Sequence, residues 1–191
     1  MSKEYEKMIV ITAPSGAGKT SITRHLLKVL PQLAFSISAA TRRPRANEKD
    51  GVDYYFISEE EFHSKILQEE FVEWEMVYEG NYYGTLKSEL KRIWKNKQIP
   101  VMDIDVQGAI HVQKEYPVNS LFIFIQPPSV EELKKRLESR GSETSESLSA
   151  RINKSAYELT FKNNFPNIVV NNNLQQACAE AEAIVRSFIN K

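Results

Sequence analysis

Met8-Ile-Val-Ile-Thr-Ala-Pro-Ser-Gly-Ala-Gly-Lys-Thr20, the stretch MIVITAPSGAGKT, decides the fold. Its first five residues are a short apolar run of the kind that fills a buried strand, 8–12. Beyond Gly18, the residues Ile22, Leu26, Leu27 and Leu30 recur on one face, so a helix runs from Lys19 to Leu30, and Pro31 stops it. A strand, a glycine-bearing turn and a helix in that order aim successive backbone N–H groups at one point. The positive end of the helix adds to them, and the result is a cradle for a chain of phosphates. Ala13, Pro14, Ser15, Gly16, Ala17, Gly18, Lys19 and Thr20 are therefore the candidate residues for a nucleoside triphosphate such as ATP. Lys19 would reach the β- and γ-phosphates, and the Thr20 hydroxyl would face Mg²⁺. The pattern G-x-x-x-x-G-K-[ST] has glycine where this chain has Ala13, a change that the end of a strand can carry.

Working outward, PVMDID (100–105), SLFIFI (120–125) and NIVVN (167–171) are further apolar strands. Helical patterns at 106–116, 129–140 and 148–163 separate them, and a last helix spans 174–189. Near-continuous apolar strands alternating with helices indicate an α/β chain whose parallel sheet is covered on both faces. Residues 35–85 break that rhythm. FSIS, DYYFIS and FVEWEMVYE are short aromatic strands with one brief helix from Glu59 to Gln68, and they read as a smaller lobe inserted after the first helix. SRGSETSES (139–147), polar and serine-rich, reads as a mobile lid.

The chain has 191 residues, with 25 Lys+Arg balancing 25 Asp+Glu. Such a length buries about 70% of its extended surface and suits one lobed domain. Zero net charge argues against a nucleic-acid coat. The longest apolar run, Leu121–Ile125, is far short of a membrane span. The N-terminus lacks a secretory core, and a single cysteine, Cys178, excludes an internal disulfide, so the cytoplasm is the expected compartment. Cys178 reads as a small buried hydrophobe, and His25, His63 and His111 as structural or surface residues without ligand spacing.

Asp103 and Asp105 are two apart on the expected strand, so both should share a face at its carboxyl end. An acid there suits the orientation of Mg²⁺-bound water beside a phosphate loop. In the inserted lobe, Thr41-Arg42-Arg43-Pro44-Arg45 gathers arginines on a turn, followed by Tyr54-Tyr55, Glu73 and Tyr82-Tyr83 before Gly84-Thr85. Guanidinium forks match phosphate oxygens. A carboxylate accepts from both N1–H and the 2-amino group of guanine, whereas adenine would leave it unpaired. The set reads as a nucleoside monophosphate site with a guanine preference.

APSGAGKT, SAATRRPRANEKDGVDYYF, FVEWEMVYEGNYYGT, MDIDVQGA, PPSVEELKKRLESRG and VVNNNL, in this order over residues 7–189, resemble the guanylate kinase family. The resemblance implies a three-layer P-loop kinase fold: a core of about 7–34, 86–126 and 157–189, a mixed α/β GMP-binding lobe of about 35–85, and a short lid of about 127–156. It implies transfer of the ATP γ-phosphoryl group to GMP with Mg²⁺, and dGMP as a further acceptor. Carried over by motif, it puts the GMP phosphate on Arg42, Arg45, Tyr54 and Tyr83, and guanine on Ser38, Glu73, Thr85 and Asp105. Asp103 and Thr20 fall at the metal. Lys19, Arg42 and the lid arginines Arg136, Arg140 and Arg151 fall on the transferred phosphate. Asn47 replaces a usual glycine, and Asn171-Asn172-Asn173 replaces a usual VNDD segment, so any helix-cap role there must use amides.

Two rival readings share the fold, a protein-binding module without catalysis and a sibling kinase of a phosphorylated sugar. Intact Lys19, Thr20 and Asp103 argue against the first, and the Ser38, Glu73, Thr85, Asp105 set against the second. Monomer and homodimer both remain open, with no nucleic-acid or membrane partner expected.

Overall fold

Every residue of Met8–Thr12 (β1) is buried, and alternation splits them between two cores. Ile9 and Ile11 pack with Ile22 and Leu26 of Lys19–Val29 (α1). Met8 and Val10 face the opposite side, with Leu90, Val106 and Val112. The computed structural model describes residues 6–138 and 145–191. After α1 come β2 (Leu33–Phe35), β3 (Ala39–Ala40), β4 (Tyr55–Phe56), α2 (Glu59–Leu67), β5 (Phe71–Tyr78) and β6 (Asn81–Leu86). Next are α3 (Lys87–Lys95), β7 (Ile99–Asp103), α4 (Val106–Glu115) and β8 (Ser120–Gln126). The described chain ends with α5 (Val130–Glu138), α6 (Ser145–Leu159), β9 (Asn167–Val170) and α7 (Leu174–Ile189).

Five strands form a parallel sheet in the order β2-β7-β1-β8-β9. Helices α1 and α7 cover one face, through Ala177, Ala181 and Val185 of the latter, and α3 and α4 cover the other. This is the three-layer α/β fold expected from the apolar strand runs. The carboxyl ends of neighbouring β1 and β7 lie side by side, with Ile11 opposite Asp103, where open α/β sheets bind ligands. A second, mixed sheet runs β4-β3-β6-β5. Its own small core stacks Phe62 on Phe71, with ring centroids 4.4 Å apart, beside Ala39, Tyr55 and Tyr82.

Three expectations need correction. The segment FSIS is not a strand of the inserted lobe: Phe35 ends β2, which pairs with β7 in the parallel sheet. Asp105 is not on a strand either. The ladder with β1 stops at Asp103, and Asp105 caps α4, its carboxylate accepting from Gly108 N at 2.7 Å. Aspartate satisfies the otherwise unpaired N–H groups of a helix start, and that competes successfully with one more rung of sheet. The helix expected at 148–163 begins at Ser145 and ends at Leu159, with a 3₁₀ turn at Lys162–Asn164. Helix α3, which carries few apolar residues, escaped the periodicity reading; it buries Leu90 and Ile93. Cys178 is buried at 7% exposure, and among the described residues no helix is long and apolar enough to cross a membrane.

Candidate active site

The turn from β1 into α1 carries left-handed backbone at Gly16 (φ 90°) and Gly18 (φ 97°), which side chains rarely adopt. Space forbids a side chain at Gly18 as well, since an added Cβ would lie 2.1 Å from Asn171 Nδ2. That amide, buried behind the loop, donates to Ala17 O at 2.7 Å and fixes the curvature. No side chain caps α1 and no acid sits in its first turn, so the positive helix end stays directed into the cleft. Lys19 pairs its ammonium with Asp103 and donates to Ile104 O at 2.8 Å. The Thr20 hydroxyl is on an exposed residue at the cleft edge. Thr20 and Asp103 thus flank the loop with one hydroxyl and one carboxylate. Few protein ligands beside substrate phosphates and water suit Mg²⁺, which keeps most of its waters. Among the described residues, no cluster of three or more His, Cys, Asp or Glu could cage a cation alone.

Across a cleft of about 310 Å³ stands the mixed sheet. Arg42 is held at Nε and along its fork. Its Nε donates to the Tyr83 hydroxyl at 3.0 Å, and its Nη2 donates to Glu48 Oε1 at 2.8 Å. Its guanidinium also lies 4.9 Å from the Tyr54 ring centre. The Arg42 fork lowers the Glu48 pKa to about 2, helped by the Arg45 backbone N–H, and Arg42 is raised in return. Arg45 is exposed at the cleft edge. Burial raises the Tyr54 pKa.

Deeper in, Glu73 on β5 is 4% exposed and accepts from Thr85 Oγ1 on β6 at 2.7 Å. Burial drives its pKa up to about 7; the Thr85 hydroxyl opposes the shift and the Asp105 charge adds to it. Ser38 and Asp105 line the same pocket. The lid arginines divide. Arg151 on α6 lines the cleft. Arg136 on α5 is not among the residues lining it and donates to Glu132 Oε1 at 3.1 Å and to Asn171 O at 3.2 Å. Arg140, like most of the serine-rich 139–147 segment, lies outside the described residues. Ala17 and Thr85 are fully buried and support the cleft from behind.

Several groups here were not picked out from sequence. Glu48 sits six residues after Arg42, a spacing that signals nothing by itself. Lys154 and Glu158 follow Arg151 at i+3 and i+7, one helical face, and that periodicity could have revealed them. Lys154 donates to Val77 O of β5 at 2.9 Å and thereby bridges α6 to the mixed sheet. Glu158, 6% exposed, has its pKa pushed up to about 7 by burial, against the pull of Lys154. The expected amide cap is present: Asn173 accepts from Gln176 N at 3.1 Å at the start of α7. Of the histidines, His25 pairs with Glu182 at 3.0 Å and His63 lies near Glu59, both outside the cleft.

Comparison with known proteins gives one answer. The guanylate kinase family model matches residues 5–188. The guanylate kinase of Bacteroides thetaiotaomicron is 45% identical over 185 residues, covering 97% of this chain and 91% of its own length. That of Clostridium perfringens is 47% identical over 179 residues, covering 93% and 82%. The crystal structure of guanylate kinase from Anaplasma phagocytophilum is similar with a TM-score of 0.77 and 28% identity, covering 95% of this chain and 85% of its own.

Proposed function

The chain belongs to the guanylate kinase family, and on that premise we propose how its cleft residues divide the work of phosphoryl transfer. The protein is an ATP:GMP phosphotransferase, giving ADP and GDP. One observation carries the assignment of roles: a cradle built for phosphates faces, across a single cleft, a buried carboxylate fixed by Thr85.

ATP enters along the loop 13–20, its phosphates accepting from backbone N–H groups and from Lys19. Lys19 leaves Asp103 for the phosphates, and Asp103 and Thr20 are the residues that would hold Mg²⁺, directly or through water. When bound, Mg²⁺ would supply charge neutralisation at the transferred phosphoryl group. GMP lies against the mixed sheet, its phosphate toward Arg42, Arg45, Tyr54 and Tyr83. Guanine sits toward Ser38, Glu73, Thr85 and Asp105. The partly deprotonated Glu73 becomes fully ionic on accepting the two guanine donors, while adenine offers it an acceptor and is rejected.

No general base is needed, because the attacking group is a phosphate oxygen whose second pKa is about 6. Catalysis is alignment of donor and acceptor plus neutralisation of the equatorial oxygens by Lys19, Arg42 and Arg151, with Arg136 added as the cleft closes. Residues 127–156 form that lid, residues 35–85 the GMP lobe. A reducing cytoplasm suits the lone buried Cys178.

A coupled ADP-release assay over GMP, dGMP, AMP, IMP and UMP tests the reading. Turnover selective for guanine nucleotides is expected. Turnover with none would fit a binding module, and turnover confined to phosphorylated sugars a sibling kinase.

A further inference from the structure

Gly108 sits in the first turn of α4, where a glycine costs about 1 kcal/mol relative to alanine. Nothing in the backbone calls for it, since its φ is outside the left-handed range where side chains are strained. What surrounds it accounts for the choice. A Cβ at this position would stand 2.6 Å from Glu73 Oε2 and 3.1 Å from Asp105 Oδ1. The same residue donates its N–H to Asp105 at 2.7 Å. Both carboxylates of the expected guanine pocket therefore close on one residue that has no side chain.

The second Glu73 oxygen matters as much. Oε1 accepts from Thr85 at 2.7 Å, and Oε2 lies against the space that a Cβ on Gly108 would fill. A carboxylate held at one oxygen still swings about that contact. With α4 packed on β5, the helix surface sets how far the other oxygen can go. We propose that Gly108 is a positioning residue for guanine specificity: the gap left by its missing Cβ receives Glu73 Oε2 and fixes the plane in which that carboxylate meets the base. An added methyl group pushes Oε2 off this seat, and Thr85, still bound to Oε1, turns the push into a rotation of the carboxylate. Guanine then finds one of its two acceptors out of line.

The inference rests on the reading of Glu73 as the guanine acceptor, and the test separates the two. In Gly108→Ala, KM for GMP should rise about tenfold, the loss of one well-made hydrogen bond to a charged group. KM for ATP should stay within about twofold, and the circular dichroism spectrum should remain native. In a Glu73→Asp background the carboxylate is one methylene shorter. There the same substitution should change KM for GMP less than about twofold, the non-additivity expected of two groups in contact. An unchanged KM for GMP in Gly108→Ala overturns the proposal. So does a parallel rise in KM for ATP, or an undiminished effect in the Glu73→Asp background. Glu73→Gln is the control on the premise. If it leaves KM for GMP unchanged, Glu73 is not the base acceptor and the proposal falls with it; if it raises KM while Gly108→Ala does not, the proposal alone fails.

Discussion

Glu48 grips Arg42 fork to fork, with Nη2 donating to Oε1 at 2.8 Å, while Arg42 Nε donates to Tyr83. Of the five guanidinium N–H groups, these contacts and the one to Arg43 O leave an Nη2 hydrogen for a ligand. Glu48 therefore sets the angle at which Arg42 meets the acceptor phosphate. Glu48→Ala should raise KM for GMP by about three- to tenfold, the loss of one aligned charge-assisted contact, and leave KM for ATP alone. Steady-state kinetics in both substrates decides it. A lowered KM for GMP would show instead that Glu48 competes for the fork.

Lys19, the first residue of α1, contacts Asp103 and Ile104 O at the end of β7, the strand next to β1, so it lies within reach of both loop and metal ligands. Replacing it with methionine keeps an unbranched apolar stem one atom shorter and removes the charge. Turnover should fall by about a thousandfold or more, in line with the loss of a principal electrostatic contact to the transferred group. The circular dichroism spectrum should remain native. A near-normal kcat takes Lys19 out of the mechanism.

How much of this was legible beforehand follows from how local each cause is. The strands β1, β8 and β9 announce themselves because burial on both faces demands unbroken apolar runs, and MIVIT matches its strand residue for residue. The phosphate loop is legible because its chemistry is carried by consecutive residues. β2 was hidden because Leu33–Phe35 is three residues long, and its place in the sheet depends on β7, more than sixty residues away. Asp105 was misplaced because strand and helix cap compete for the same residue. Lys154 and Gly108 act across elements, and their partners Val77 O and Glu73 are chosen by tertiary packing, whereas Glu48 meets Arg42 within one irregular loop that no periodicity announces.

Asn171 supports the phosphate loop from behind, its buried amide donating to Ala17 O at 2.7 Å. Asn171→Ala leaves that carbonyl without its partner in a buried site, at a cost of about 1–3 kcal/mol in stability. Denaturant unfolding should register the loss. Because the loop's curvature depends on the contact, KM for ATP should rise while KM for GMP stays near its original value. Equal rises in both would assign Asn171 to general stability.

The pH dependence of GMP use should report Glu73. Burial raises its pKa to about 7 in the free protein, and the guanine donors need the ionised form. Proton and GMP therefore compete. Above pH 8 the carboxylate is ionised and KM for GMP is at its floor. As pH falls through 7 the protonated fraction grows, and this titration alone should raise KM for GMP about tenfold at pH 6. The phosphate of GMP takes up its own proton with a pKa of about 6, so it contributes about a factor of two at pH 6 and little above pH 7. Glu73→Gln removes the carboxyl titration and should leave only that smaller dependence, on top of a uniformly higher KM. KM for ATP, bound across the cleft, should show no inflection near pH 7 that Glu73→Gln abolishes. A wild-type profile that is flat between pH 8 and pH 6.5 would mean that Glu73 is already ionised in the free protein, and that Thr85 offsets its burial more fully than the buried geometry implies.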